Sequence, residues 1–181
     1  AKLLLVELSS GWTAVFHLKM SGQLIWKPTR GRLRGGGHPI PGGVDDLPNR
    51  YSHIQLFFDG GILYFNDLRQ FGWLCFIRTA VLPDWLDRQR FGPEVVEGQL
   101  DLKTFQTRLQ TRRRSRLKAV LLDQTFLAGL GNIYADEALW LASLKPTKRV
   151  GTLSAVQQAA LFHAIQRVLD LGVANGGTTC E

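Results

Sequence analysis

The sequence contains few cysteines, a deficit of acidic residues and no long hydrophobic segment, and each scarcity excludes a class of protein. Its two cysteines, Cys75 and Cys180, lie far apart, which excludes a disulfide framework and the paired-cysteine spacing of common zinc sites. No apolar run approaches the roughly 18 residues that a transmembrane helix requires. We also find no basic-then-apolar signal peptide, so a cytoplasmic location without a membrane partner is expected.

The charge balance favours a polyanionic partner. The 181 residues include 22 Lys and Arg against 15 Asp and Glu, which gives a net charge of +7. This excess indicates nucleic acid first and an anionic membrane surface second. The hydrophobic fraction of 45% is sufficient for a packed core and argues against global disorder.

Short alternating segments in the first half predict β-strands. The stretches "KLLLVEL", "WTAVFHL", "SHIQLFF" and "GILYFND" are apolar or alternate apolar with polar residues, and "DGG" before the last is typical of a tight hairpin. Between them lies Lys27–Arg50, rich in glycine, proline and arginine, which predicts a long mobile surface loop. Cys75, in "WLCFI", is predicted to be a small buried hydrophobic residue.

Apolar residues at helical spacing dominate the second half. The clearest helix begins with a capping box of Ser154 and Gln157, and Gly172 is predicted to close it. Helices are predicted over residues 102–112, 116–123, 132–142 and 154–171. The predicted fold is therefore of the α+β class, with an N-terminal antiparallel β-sandwich over residues 1–92, a linker over 93–101 and an all-helical domain over 102–181.

A glycine-rich turn precedes the third helix, in "GLGNIYADEALW". The amide N–H groups of Gly131, Asn132 and Ile133 would be unpaired donors at the helix start, and the helix dipole would add positive potential there. The alternative is a plain helix connection capped by Asn132. The basic stretch "TRRRSRLK", residues 111–118, leads into the preceding helix and favours a phosphate-binding interpretation.

Several ordered motifs resemble one known family. "GLGNIYADEALW" followed by "LKP" resembles the helix–two-turn–helix motif of the formamidopyrimidine-DNA glycosylases and their endonuclease VIII relatives. "AKLLLVEL", "HLKMSGQL", "DLRQFGWL", "FGPE", "LKAVLLDQ" and "GGTT" match in the same order. The resemblance covers nearly the whole chain apart from Lys27–Arg50. It implies a helix–two-turn–helix domain and a partner of double-stranded DNA that contains damaged bases.

The resemblance also implies an activity. Family members remove oxidised purines, such as 8-oxoguanine and formamidopyrimidines, by flipping the base out of the duplex, and they cleave the backbone as AP lyases. Met20, Arg69 and Phe71 match the three residues inserted into the space that the flipped base leaves. A thioether and an aromatic ring suit a wedge between bases, and a guanidinium suits pairing with the orphaned base.

Other positions carry roles by resemblance alone. Lys2 matches a lysine that lies in the active site near a phosphate, and Lys118 matches a lysine linked to handling of the oxidised purine. His53, Gly131 and Asn132 match phosphate contacts. Gln70 stands where some members carry a second arginine, so one cationic contact of the family is in doubt.

The chain departs from the family at both ends. Members begin with Pro-Glu, whose proline amine is the nucleophile, and commonly end in a zinc finger with four cysteines. We therefore expect an internal fragment of a monomeric enzyme, inactive alone and without a cofactor, whose complete form binds zinc. Two alternatives remain: a non-catalytic DNA-binding member of the same fold, and an endonuclease VIII-type glycosylase for oxidised pyrimidines, which Met20 and Phe71 disfavour.

Overall fold

The computed structural model describes residues 2–37, 46–95 and 100–175. Its chain divides into two compact units between Asp84 and Trp85. This division lies eight residues before the predicted boundary at 92. Val95 and Leu100, within the stretch predicted as a linker, are 5% and 3% exposed and belong to the helical core.

In its described residues, 2–37 and 46–84, the first unit contains seven strands in two antiparallel sheets. One sheet has the order β1-β2-β7 and the other the order β4-β3-β6-β5. The strands are β1 Leu4–Glu7, β2 Trp12–His17, β3 Gly22–Pro28, β4 Arg34–Gly37, β5 Ser52–Phe58, β6 Gly61–Asp67 and β7 Trp73–Arg78. Their inner faces meet where Ala14 and Phe16 pack with Phe65, and the rings of Phe16 and Phe65 lie edge to face at 6.0 Å.

The stretch predicted as one long loop contains a strand. Arg34–Gly37 forms β4 and pairs with β3, because consecutive glycines let its backbone lie close to that strand. A Cβ built on Gly37, whose φ is +117°, would lie 2.9 Å from the Cα of Gln23. Leu47 is also buried, with Ile25 and Tyr64. The prediction of an unstructured loop is therefore wrong for these residues, and residues 38–45 lie outside the described part.

The second unit is helical, and the α+β prediction is confirmed. Its helices are α1 Leu82–Arg88, which spans the division between the units, α2 Leu102–Gln110, α3 Leu117–Leu122, α4 Asn132–Leu141 and α5 Ala155–Ala174. The apolar stripe of α5 lies in a core shared with the other helices, centred on Phe105, Leu109, Leu121, Leu139, Leu161 and Ile165. The predicted capping box is confirmed, with both bonds between Ser154 and Gln157 present.

Gly172 does not close α5, which continues to Ala174. Instead it lies inside the helix, where a Cβ would be 2.6 Å from the Cζ of Tyr134 on α4 and closer still to its hydroxyl group. Glycine is therefore required here for the close packing of two helices. Cys75 is half-buried, less than predicted, and burial raises the pKa of its thiol. Within the described ranges, no helix has the length and apolarity needed to cross a bilayer.

Candidate nucleic-acid interface

Met20, Arg69 and Phe71 form one exposed cluster in the β unit. Met20 is 62% exposed and Phe71 is 55% exposed, although both are large apolar side chains. Nη1 of Arg69 lies 3.3 Å from Sδ of Met20, and its guanidinium lies over the Phe71 ring, 5.0 Å from the centroid. The structure therefore brings Met20 together with Phe71 and with Arg69, which is 49 positions away in the sequence. We call these three residues the wedge.

Two tight turns present the wedge. Met20 lies in the turn between β2 and β3, and Arg69 and Phe71 lie in the turn between β6 and β7. Lys19 and Gln70, which precede Met20 and Phe71, have φ of +52° and +55°. Such left-handed conformations are uncommon for residues other than glycine, so surrounding contacts must hold each turn in shape.

The Asp67 carboxylate supplies those contacts. The residue is 3% exposed, and its Oδ1 accepts a 2.5 Å bond from the Ser21 hydroxyl while Oδ2 accepts a 2.7 Å bond from the Gly72 amide. The amide of Arg69 donates to both Oδ1 of Asp67 and Oγ of Ser21. Burial alone would raise the pKa of Asp67, but the hydrogen bonds that it accepts outweigh that effect and lower the pKa.

Sequence reasoning missed Ser21 and Asp67, although both lie in the motifs that carry the family resemblance. Each is a small polar residue beside a functional one, a pattern that is common in turns and indicates nothing by itself. Their role depends on the closeness of two turns that are 46 residues apart. Only the tertiary structure provides that signal.

His53 lies beside the same strand end. Its Nε2 is 2.8 Å from the backbone oxygen of Asp67, across the irregular pairing of β5 with β6 at Ser52 and Ile54. The residue is exposed, so the ring combines a fixed orientation with access to solvent. Such a ring can donate a hydrogen bond to an anion. The phosphate contact of His53 predicted from resemblance stays a prediction.

Lys2 lies at the start of the β unit, and its positive charge acts on the His17 ring. Burial of the amine lowers the pKa of Lys2, although the residue as a whole is exposed. The pKa of His17 is lowered by burial and then by the positive charges of Lys19 and Lys2. The amide of Lys19 donates to Nδ1 of His17 at 3.0 Å, which requires an unprotonated Nδ1. Sequence reasoning did not identify His17.

In the helical unit, residues 123–131 join α3 to α4 in a compact double turn. Gln124 holds this turn together: its Oε1 accepts a 3.1 Å bond from the Gly129 amide, and its Nε2 donates to the Leu130 carbonyl at 2.9 Å. Gly129 has a φ of +87°, which favours glycine. Phe126 and Leu127 are buried beneath, so the turn is fixed to the core.

Gly131, and not Asn132, is the N-cap of α4. Asn132 is the first helical residue, and no side chain caps the first turn. The alternative in which Asn132 caps the helix is therefore wrong, and the exposed side chain of Asn132 makes no capping bond. The first amide groups of α4 and the Asn132 side chain offer hydrogen-bond donors next to a glycine, an arrangement suited to an anion.

Lys118 is tied to α4 by an ion pair. Its Nζ lies 2.8 Å from Oδ2 of Asp136, and both side chains are partly exposed, at 32% and 45%. The predicted role of Lys118 at an oxidised purine remains a prediction. Arg112 is similarly engaged, with its Nη2 at 3.3 Å from Oδ2 of Asp123.

No metal centre is built by the part of the chain that the structure describes. In residues 2–37, 46–95 and 100–175, no group of three or more His, Cys, Asp or Glu side chains could hold a metal ion. These residues therefore do not provide a set of ligands for the zinc ion that the family resemblance implies.

Comparison with known proteins gives a consistent result for both units. Residues 1–74 match the model of the formamidopyrimidine-DNA glycosylase N-terminal domain, and residues 91–181 match the model of the formamidopyrimidine-DNA glycosylase H2TH domain. Curated formamidopyrimidine-DNA glycosylases of Herpetosiphon aurantiacus and Chloroflexus aggregans are 38% and 39% identical over 99% of this chain. The chain spans 59% of the length of each of these two relatives.

Solved structures show the same similarity. A complex between the Lactococcus lactis Fpg and a DNA containing an abasic site matches with a TM-score of 0.82 and 28% identity, over 99% of this chain and 60% of that one. A complex of a mutant of the same protein with a DNA containing Fapy-dG matches equally well, with a TM-score of 0.82.

Proposed function

The chain belongs to the formamidopyrimidine-DNA glycosylase family, and from this we propose that the whole protein excises oxidised purines from duplex DNA. Formamidopyrimidines and 8-oxoguanine are the proposed substrates, base flipping is the proposed route, and cleavage at the resulting AP site is the proposed second activity. The exposed cluster of Met20, Arg69 and Phe71, mounted on the buried Asp67 carboxylate, is the observation that carries this proposal.

The wedge has the physical properties that flipping requires. Extruding a base costs a few kcal/mol of stacking and pairing energy, which the protein must offset. An exposed thioether and phenyl ring can fill the vacated stack and bury apolar surface there. The guanidinium between them is held by contacts with both, so its donors are oriented towards an unpaired base with little further loss of side-chain entropy.

The remaining predicted residues fit phosphate contacts around the wedge and the double turn. The proposed contacts are the His53 ring, the Gly131 amide and the Asn132 side chain, each exposed or at a helix start. Lys2, whose pKa is lowered by burial, is proposed to approach the sugar–phosphate near the lesion. Lys118 is proposed to contact the oxidised purine, with Asp136 holding its ammonium in place.

Two other functions are less well supported. A non-catalytic DNA-binding protein would retain the wedge and the double turn, but the curated relatives are named as glycosylases. An enzyme for oxidised pyrimidines is disfavoured by the complete Met20, Arg69 and Phe71 cluster. We further propose that the whole protein acts as a cytoplasmic monomer and binds zinc outside the described residues.

The deciding experiment compares three duplexes that differ at one position. The whole protein is incubated with DNA containing a formamidopyrimidine, an oxidised pyrimidine or an ordinary guanine, and base release is measured. Borohydride reduction during the reaction tests for the covalent imine of an AP lyase. Release of the formamidopyrimidine is expected. Release of only the pyrimidine would support the endonuclease VIII alternative, and binding without any release would support the non-catalytic one.

A further inference from the structure

Two segments of the helical unit, residues 113–118 and 146–151, run antiparallel beside each other. Arg116 and Arg149 lie directly opposite one another in this pairing. Four backbone hydrogen bonds of 2.9–3.1 Å join the segments, donated by Leu117, Lys118, Val150 and Gly151 to the carbonyl groups of Lys148, Pro146, Ser115 and Arg113. We call these paired segments the basic ladder.

The pattern of these bonds determines where the two arginine side chains point. The bonds from Leu117 and Val150 flank the Arg116–Arg149 pair, so this is the non-hydrogen-bonded type of antiparallel pair. In such a pair both side chains project from the same face, with Cβ atoms no more than about 5 Å apart. Like charges in this position repel each other, so the ladder holds together an unfavourable pair.

No carboxylate relieves that repulsion among the residues that the structure describes. Arg116 and Arg149 are both exposed, and neither takes part in a described ion pair or side-chain hydrogen bond. The carboxylates that do pair with cations of this unit are engaged elsewhere, Asp123 with Arg112 and Asp136 with Lys118. The pair is therefore left without a counter-charge among the described residues.

We propose that Arg116 and Arg149 together bind one phosphate group of a nucleic-acid backbone. Two planar guanidinium groups can each donate paired hydrogen bonds to phosphate oxygens, and the bound charge removes the repulsion between them. The site lies outside the wedge and the double turn. It rests on the proposed function only in taking DNA as the partner.

The position of the ladder favours nucleic acid over a small anion. The ladder adjoins the start of α3 and follows the end of α4, whereas the double turn with Asn132 joins the opposite ends of these helices. The ten residues of α4 span about 15 Å. This is the axial rise of about four base-pair steps of B-DNA, so one backbone can meet both places a few nucleotides apart.

The test measures affinity for an undamaged duplex as a function of salt. Arg116→Ala and Arg149→Ala are each expected to weaken binding several-fold and to reduce the slope of log affinity against log salt by up to about 0.9, the value for one phosphate contact. Because both arginines hold the same phosphate, the double variant should lose less than the product of the two single losses. If the loss of affinity in the double variant equals the product of the two single losses, the arginines act independently and the shared site is overturned.

Arg167→Ala is the matched control, since Arg167 is an exposed arginine of α5 and its removal changes the net charge equally. For this variant, the affinity for the duplex and the slope of log affinity against log salt should remain close to those of the wild type. Equal losses in Arg167→Ala and Arg116→Ala would show only a general electrostatic field and overturn the proposal. The unfolding temperature of Arg116→Ala without DNA should equal or exceed that of the wild type, because a repulsive pair is removed, and a marked decrease would contradict the pairing argument.

Two further measurements separate this site from its alternatives. Base release from a formamidopyrimidine duplex is measured on the same preparations. Arginine-dependent binding of undamaged DNA without base release would support the ladder site and reject the proposed function. Vesicles containing anionic lipid are tested in parallel, and binding that depends on Arg116 with vesicles but not with the duplex would overturn the assignment to nucleic acid.

Discussion

The hydroxyl of Ser21 donates a 2.5 Å hydrogen bond to Oδ1 of Asp67 and so joins the turn that carries Met20 to the turn that carries Arg69 and Phe71. Ser21 is 3% exposed, and the bond is therefore shielded from water. The geometry of the wedge consequently depends on a buried polar pair that does not itself reach the surface.

Removal of this pair should loosen the β unit. In Asp67→Asn, an NH2 group replaces one of the two acceptor oxygens and cannot accept, so either the bond from Ser21 or the bond from Gly72 is lost. We expect the free energy of unfolding to fall by about 1–3 kcal/mol, the usual cost of leaving a buried polar group unsatisfied. Urea denaturation measures the change. Asp59→Asn, at an exposed position without a described contact, should change stability little, and equal losses in both variants would refute this role for Asp67.

The contribution of Asp67 to the free energy of unfolding should also depend on pH, in a defined direction. Because its folded pKa is lowered, its carboxylate stabilises the folded state at pH values above the ordinary value of about 4, and this stability is lost as the pH falls through the lowered folded pKa. The difference in stability between the wild type and Asp67→Asn should therefore be full at neutral pH and shrink in acid. A difference that stays constant down to strongly acidic pH would show that packing, and not the charge, is responsible.

The wedge should act on stacking and not on general affinity. Met20→Ala and Phe71→Ala are expected to lower affinity for a duplex with an abasic site more than affinity for a single strand with the same site, because only the duplex requires unstacking. Fluorescence titration with the two DNAs gives the ratio. Phe57→Ala removes an equally large ring from β5, 74% exposed, and should leave the ratio unchanged. Equal losses on both DNAs would show that Met20 and Phe71 do not act as a wedge.

The sequence predicted the parts of the fold that periodicity encodes. The four helices α2 to α5 and the hairpin of β5 and β6 follow directly from the spacing of apolar residues. In contrast, β4 was missed because its pairing depends on backbone bonds of a glycine-rich stretch, which leaves no pattern of side chains. α1 was missed because none of its residues is buried, so its sequence carries no apolar stripe.

The candidate site likewise contains residues that the sequence identifies and contacts that only the structure reveals. Family resemblance identified Met20, Arg69 and Phe71, and the structure places these three in contact. It could not identify Asp67 as their support, or Arg149 as the residue opposite Arg116, because both relationships join distant segments. Contacts of this kind follow from the tertiary fold and are absent from any local window of sequence.

Asn132 should contribute to DNA affinity without contributing to helix capping. Gly131 is the N-cap, so Asn132→Ala removes an exposed amide at the first helical position, where alanine is well tolerated. We expect the unfolding temperature to stay near that of the wild type, while affinity for damaged and undamaged duplexes falls by a similar factor. Gln110→Ala, at the exposed end of α2, is the control for loss of an amide. A lower unfolding temperature with unchanged affinity would restore a purely structural role.

Gly172 should reverse the usual effect of a glycine-to-alanine change inside a helix. Alanine ordinarily stabilises a helix by up to about 1 kcal/mol relative to glycine. At this position of α5, however, the added Cβ would lie 2.6 Å from the Cζ of Tyr134, so α4 and α5 would have to move apart. Gly172→Ala is therefore expected to destabilise the protein in urea denaturation. In the Tyr134→Ala background the obstruction is absent, and the same change should become neutral or stabilising. A Gly172→Ala variant that is stabilised in the presence of Tyr134 would show that the two helices are not as closely packed as the structure describes.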